Sequence, residues 1–159
     1  MRAYQVFAQM TPERAAQVMA VVVEKSPAVY TQAVAATSAA MNARPKFLMR
    51  QPAEKRANMV RRTLARVRAS DLAEEVLAAY FLEGRKEILT EWLDSVGLEH
   101  DEGILKEEHP PPPSRSGLDQ AIKSFLEGDQ IEDRELLLRA FAAQSAIDWP
   151  DLAATFEDS

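Results

Sequence analysis

Residues 70–97 read SDLAEEVLAAYFLEGRKEILTEWLDSVG, and their spacing decides the fold class. Leu72, Val76, Leu77, Tyr80, Phe81, Ile88, Leu89, Trp92, Leu93 and Val96 recur at the three- and four-residue intervals that line one face of a helix. An unbroken helix over this stretch would be about 40 Å long, as long as a domain of this size is wide. Gly84 costs about 1 kcal/mol in a helix interior, so a break is expected near Glu83-Gly84. Gly97 is the expected C-terminal stop, and Ser70, with Glu74 close behind, the expected N-cap.

The segments ahead of this stretch repeat the helical pattern with different surfaces. Pro45 and Pro52 bracket KFLMRQ, which is long enough for one or two turns. A basic helix is then expected over 52–68, with Lys55, Arg62 and Arg66 on a solvated face opposite Val60, Leu64 and Val67. Before it, PAVYTQAVAATSAAMNA (27–43) carries no charge over seventeen positions, which suits a helix central to a bundle or placed in a homodimer contact. Its small residues, among them Ala33, Ala36, Ser38, Ala39 and Ala40, permit close helix approach. Thr11-Pro12 and Ser26-Pro27 each combine a capping hydroxyl with a first-turn proline, which lacks only a donor that would have no partner there. The first pair opens a helix to about residue 24, with Ala15, Val18, Met19 and Val22 on one face.

Beyond Gly97 the periodicity stops. LEHDEGILKEEHPPPPSRSG (98–117) has no helical spacing, and its four prolines impose an extended backbone without donors, so it reads as a connector. Helical spacing returns at Leu118, Ile122, Phe125 and Leu126, then from Leu136 to Phe141, and a last turn begins at Trp149-Pro150 with Asp148 placed to cap it. The tetrapeptide FLEG occurs at 81–84 and again at 125–128, but the match decays on both sides, with Leu77 falling opposite Ala121 and Trp92 opposite Leu136. That is too little for a helical-hairpin repeat. The expected fold is all-α: a multi-helix bundle or short helical-hairpin array of about seven to nine helices. Its expected parts are a main helical domain over 1–104, a proline-rich connector over 105–116 and a docked C-terminal helical subdomain over 117–159.

Composition bounds the function classes. The 159 residues, 47% hydrophobic and 28% charged, suit one folded domain or a domain with a small appendage. There is no cysteine, which excludes disulfides, thiolate-held metals and a cysteine nucleophile. No apolar run approaches the roughly 20 residues a bilayer crossing needs, and the N-terminal stretch does not resemble a secretory signal, so a cytoplasmic location is expected and no membrane partner. The net charge of −6 is uneven: residues 1–43 carry about +1, residues 44–68 about +8 and residues 69–159 about −15.

A basic block is the usual footprint of nucleic-acid binding, because neutralised phosphates release their counterions. Lys55, Arg61, Arg62, Arg66 and Arg68 are the candidate contacts. The plainer reading is a solvated helix face whose charges the acidic second half satisfies. A second constellation, Glu99-His100-Asp101-Glu102 followed by Glu107-Glu108-His109, combines imidazoles and carboxylates of the kind that bind zinc or heavier divalent ions. Its spacing matches no HExxH or calcium-loop pattern, so His100, Asp101, Glu102 and His109 are candidate ligands on composition alone. No GxSxG elbow or Gly-rich phosphate loop is present, so no catalytic residue is assigned and no cofactor is expected. Tyr30, Ala33, Ala36, Ala40, Tyr80 and Trp92 are the candidate partner or ligand surface.

The sequence therefore points first to a non-enzymatic helical interaction or regulatory module, acting on a protein partner or as a homodimer. Nucleic-acid binding through 44–68 is the second reading, and a metal-dependent or small-molecule enzyme using His100 and His109 the third.

Overall fold

A computed structural model describes residues 1–157; Asp158 and Ser159, the last two positions of the expected C-terminal subdomain, lie outside the described residues. The protein is all-α, with ten α-helices and one two-stranded hairpin among the described residues. In chain order these are α1 (Ala3–Gln9), α2 (Pro12–Lys25), α3 (Pro27–Met41), α4 (Pro45–Arg50), α5 (Ala53–Leu64), α6 (Ser70–Ala79), α7 (Lys86–Ser95), β1 (His100–Asp101), β2 (Ile104–Leu105), α8 (Arg115–Leu126), α9 (Ile131–Gln144) and α10 (Pro150–Glu157). A 3-10 turn, Val67–Ala69, precedes α6, and a π turn, Tyr80–Gly84, follows it. No described helix is long and apolar enough to cross a membrane.

The chain divides into two compact units, Arg2–Gly84 on one side and Arg85–Ser159 together with Met1 on the other. The division falls at the break that Gly84 marks, and the proline connector lies inside the second unit.

In the first unit, α2 packs against α3, α5 and the π turn, while α6 packs against α1 and α3. The core is mainly aliphatic: Val6, Val18, Met19, Val22, Leu48, Val60, Leu64 and Val76 are buried, with Phe7, Tyr30, Tyr80 and Phe81 among them. Each such side chain contributes about 1.5–3 kcal/mol by leaving water. Helix α1 was not among the expected elements, although Ala3, Val6 and Phe7, all buried, are spaced as one helical face and the backbone N–H of Arg2 donates to Gln5 Oε1 at 2.6 Å. Thr11 caps α2 as expected, its Oγ1 accepting from the Arg14 N–H at 3.1 Å. Ser26 does not cap α3 through its side chain, so there the proline alone sets the start. At the far end of α3, Asn42 takes the left-handed conformation at φ 52°, and the Ala43 N–H returns to the Ser38 carbonyl at 3.0 Å.

Two further expectations are corrected here. The basic helix does not run to Arg68: α5 ends at Leu64, Arg66 is extended, and Val67 is 57% exposed instead of lining the apolar face. Ser70 is the first helical residue of α6, not its cap, and is buried.

The second unit has an aromatic core. Trp92 of α7 meets Phe125 of α8 at 5.3 Å between ring centres and Phe141 of α9 at 5.9 Å, and Phe141 meets Trp149 edge-on at 5.1 Å. Helices α7, α8 and α9 pack mutually and α10 packs on α9. Gly97, at φ +72°, ends α7, with the Leu98 N–H returning to the Leu93 carbonyl at 2.9 Å. Arg134, buried at the start of α9, closes the end of α8: its Nη1 donates to the Phe125 carbonyl at 3.1 Å and its Nε to the Asp129 carbonyl at 2.5 Å. The guanidinium lies 4.8 Å from the Phe125 ring centre and pairs with Glu91 at 2.7 Å. A Cβ at Gly128 would lie 2.4 Å from the Arg134 Cζ, so any larger residue there displaces the guanidinium. The Trp149 indole donates to the Pro110 carbonyl at 2.9 Å, which seats the proline run against the unit.

Candidate functional site: a basic corner and two engaged histidines

The cations of 44–68 split into two groups with different work. Arg56 and Arg61 are structural. From α5, Arg56 reaches back with Nε to the Tyr30 hydroxyl at 2.6 Å and with Nη1 to the carbonyls of Met49 and Gln51 at 3.2 and 3.1 Å, fixing the α4–α5 turn onto α3. Arg61 donates to Asn58 Oδ1 at 2.9 Å and to the Phe7 carbonyl at 3.4 Å. Of the nucleic-acid candidates, Arg61 is therefore occupied.

Lys55, Arg62, Arg66 and Arg68 are exposed, as are Arg44, Lys46 and Arg50. None of these seven forms an ion pair among the described residues. Apolar side chains stand among the cations: Met41 is 41% exposed, Phe47 48% and Met49 51%, while Leu48 of the same helix is fully buried and anchors it. Across 41–53 there is no acidic residue. Arg44, Lys46 and Arg50 flank Phe47 and Met49 along the chain, and exposed apolar groups beside cations gain both by desolvation and by charge pairing when covered.

The six candidate surface residues do not form one surface. Tyr30 and Ala33 are buried on the inward side of α3, Ala36 is half-buried, and Ala40 is exposed. Tyr80 is buried edge-on against Phe81 at 5.1 Å, with the Arg14 guanidinium 5.8 Å from its ring centre. Trp92 is fully inside the aromatic core, and its indole N–H has no hydrogen-bond partner there. Four of the six are thus core groups. The uncharged character of α3 has a local cause: one face is buried against α2, α5 and α6, and the other carries neutral residues, mostly small, such as Ala28, Thr31, Ala35 and Ala39, with Gln32 and Met41.

The connector is more structured than its composition suggests. His100-Asp101 pairs antiparallel with Ile104-Leu105, and the turn between them places Glu102 at φ 50° and Gly103 at φ 94°. Two successive positive φ values match the right-handed twist of a two-residue hairpin, and glycine adopts the second without strain. Both nitrogens of His100 are used: Nδ1 accepts from the Gly103 N–H at 3.1 Å, and Nε2 lies 2.7 Å from Asp94 Oδ1. His109 engages a different partner, with Nδ1 2.9 Å from Asp148 Oδ2. That hydrogen bond and the Asp148 charge, with a smaller contribution from Glu108, hold the His109 imidazole above its ordinary value.

The four candidate metal ligands are therefore not brought together. Glu102 approaches Lys86 at 3.7 Å, Asp101 is exposed in β1, and no group of three or more His or carboxylate side chains able to hold a metal occurs among the described residues.

No family model, curated protein or solved structure matches the chain. The basic corner was visible in the sequence as a charge block. Its sorting into structural and free cations was not, because Arg56 acts through residues 26 positions away on α3. Phe47 and Met49 were hidden for a related reason: helix α4 has only six residues, too short for periodicity to assign a buried face.

Proposed function

We propose that this protein is a non-enzymatic helical docking module that binds an acidic protein surface at the corner formed by α4 and the flanking cations. The observation that supports this reading is the set of unpaired exposed cations interleaved with exposed Phe47 and Met49. Aromatic residues, methionine and arginine are the types enriched at protein interfaces. Exposed Phe47 and Met49 favour a partner that covers apolar surface, as a protein does, over a phosphate polymer bound chiefly through its charge. A cytoplasmic setting belongs to the same reading.

The test is a binding titration against an acidic polypeptide, a generic duplex and anionic vesicles at low and high salt. The reading expects capture of the polypeptide that weakens with salt and is lost in Arg44→Gln/Lys46→Gln/Arg50→Gln. Capture of the duplex in place of the polypeptide, with a steep salt slope, would transfer the corner to nucleic-acid binding.

A further inference from the structure

Each chain carries, in its second unit, a surface of the chemistry that the basic corner calls for. We infer that the acidic partner is a second copy of this chain, whose hairpin limb, residues 99–108, seats Ile104 against Phe47 and Met49. This rests on the reading above and names its partner.

Three observations converge on that limb. Ile104 is 64% exposed in a two-stranded hairpin and offers an apolar group to a partner. Around it Glu99, Asp101, Glu102, Glu107 and Glu108 are all exposed, with Lys106 the single cation in the stretch. Only Glu102 of these carboxylates forms an ion pair among the described residues, with Lys86. The limb is also held in shape: the Asp101↔Ile104 register, the Gly103 N–H on His100, and the Lys106 N–H on the Glu99 carbonyl at 3.1 Å fix it before any partner arrives. A pre-ordered loop loses less conformational entropy on binding.

The charge balance points the same way. The unit Arg2–Gly84 contains twelve basic and seven acidic residues, a net +5, whereas Met1 with Arg85–Ser159 contains seven basic and eighteen acidic, a net −11. A two-fold pairing of identical corners would set cation against cation. Placing the limb of one copy on the corner of the next instead pairs opposite charges at every step. Such a contact joins two different patches: it closes when two copies engage each other reciprocally and otherwise continues from copy to copy.

Sedimentation of the full chain tests this with two variants at exposed positions. One has a blunted corner, Arg44→Gln/Lys46→Gln/Phe47→Ser/Arg50→Gln; the other a blunted limb, Asp101→Asn/Ile104→Ser/Glu107→Gln/Glu108→Gln. The wild type is expected to form concentration-dependent assemblies at low salt that dissolve as salt rises. Either variant alone should associate about tenfold or more weakly, in line with loss of complementary charge across an interface. An equimolar mixture should recover a discrete one-to-one dimer, because the intact limb of the first fits the intact corner of the second. Circular dichroism confirms that both variants retain the helical spectrum. A wild type that sediments as a monomer at every concentration and salt overturns the inference, as does a pair of helical variants whose mixture stays monomeric. A monomer that still captures acidic polypeptide removes self-docking alone; a chain that does neither removes the docking reading with it.

Discussion

The two units solve the same packing problem with different materials. The basic unit packs α2 among mainly aliphatic side chains, and its helices α2, α3 and α5 show their buried residues at regular spacing. Its buried aromatics form no cluster larger than the Tyr80–Phe81 pair among the described ring contacts. The acidic unit gathers Trp92, Phe125, Phe141 and Trp149 into one cluster and adds long-range polar closures through Arg134 and the Trp149 indole. The contrast shows how a segment with weak periodicity can still be ordered. Trp149, packed on Phe141, holds the proline run through the Pro110 carbonyl, while the hairpin keeps its own ladder and turn bonds.

The comparison can be broken most directly at its centres. Trp149→Ala removes the ring contact to Phe141 and the hydrogen bond to Pro110, and is expected to cost about 3–5 kcal/mol in denaturant unfolding. A loss under 1 kcal/mol would show that the proline run is held by something else. In the basic unit, Leu48→Ala empties the anchor of α4 and should cost about 2–5 kcal/mol, with the basic corner losing its shape along with stability.

A smaller effect is expected at Gly128. The alanine Cβ displaces the Arg134 guanidinium from the Phe125 and Asp129 carbonyls, and the cost should be about 1–3 kcal/mol. Replacing Arg134 by methionine as well should make the two changes non-additive, since one mechanism underlies both. Additive losses would mean that Gly128 serves its own backbone instead.

The smallest effect is a pH signature. His109 is raised above its ordinary 6.5 by the hydrogen bond to Asp148. A histidine whose folded value is raised adds stability that is complete below the unfolded value and fades as pH climbs through the folded one. Asp148→Asn should therefore bring the His109 titration down toward 6.5 in an NMR experiment and flatten the dependence of Tm on pH between those two values. Because His109 is exposed, the change in Tm is expected to be slight, and an unaltered titration would show that the pair does not persist in solution.

Much of the fold was legible because its helices announce themselves locally. Thr11-Pro12, Gly84 and Gly97 act on the backbone next to them, so their consequences could be read without neighbours. The candidate sites were legible only as compositions. His100 and His109 stand nine positions apart in the sequence and look like a ligand set, yet one turns to Asp94 and the other to Asp148.

What the sequence determined alone was the all-α class, the break at Gly84 and the uneven distribution of charge, since each follows from spacing or from counting. What only the tertiary structure decided was which arginines are spent holding backbone carbonyls, which aromatics are buried, and that an acidic connector folds into a hairpin with an isoleucine left outside. Those outcomes depend on groups distant in sequence meeting in space, and a hydrogen bond or a ring contact exists only once both partners have been brought within a few ångströms of each other.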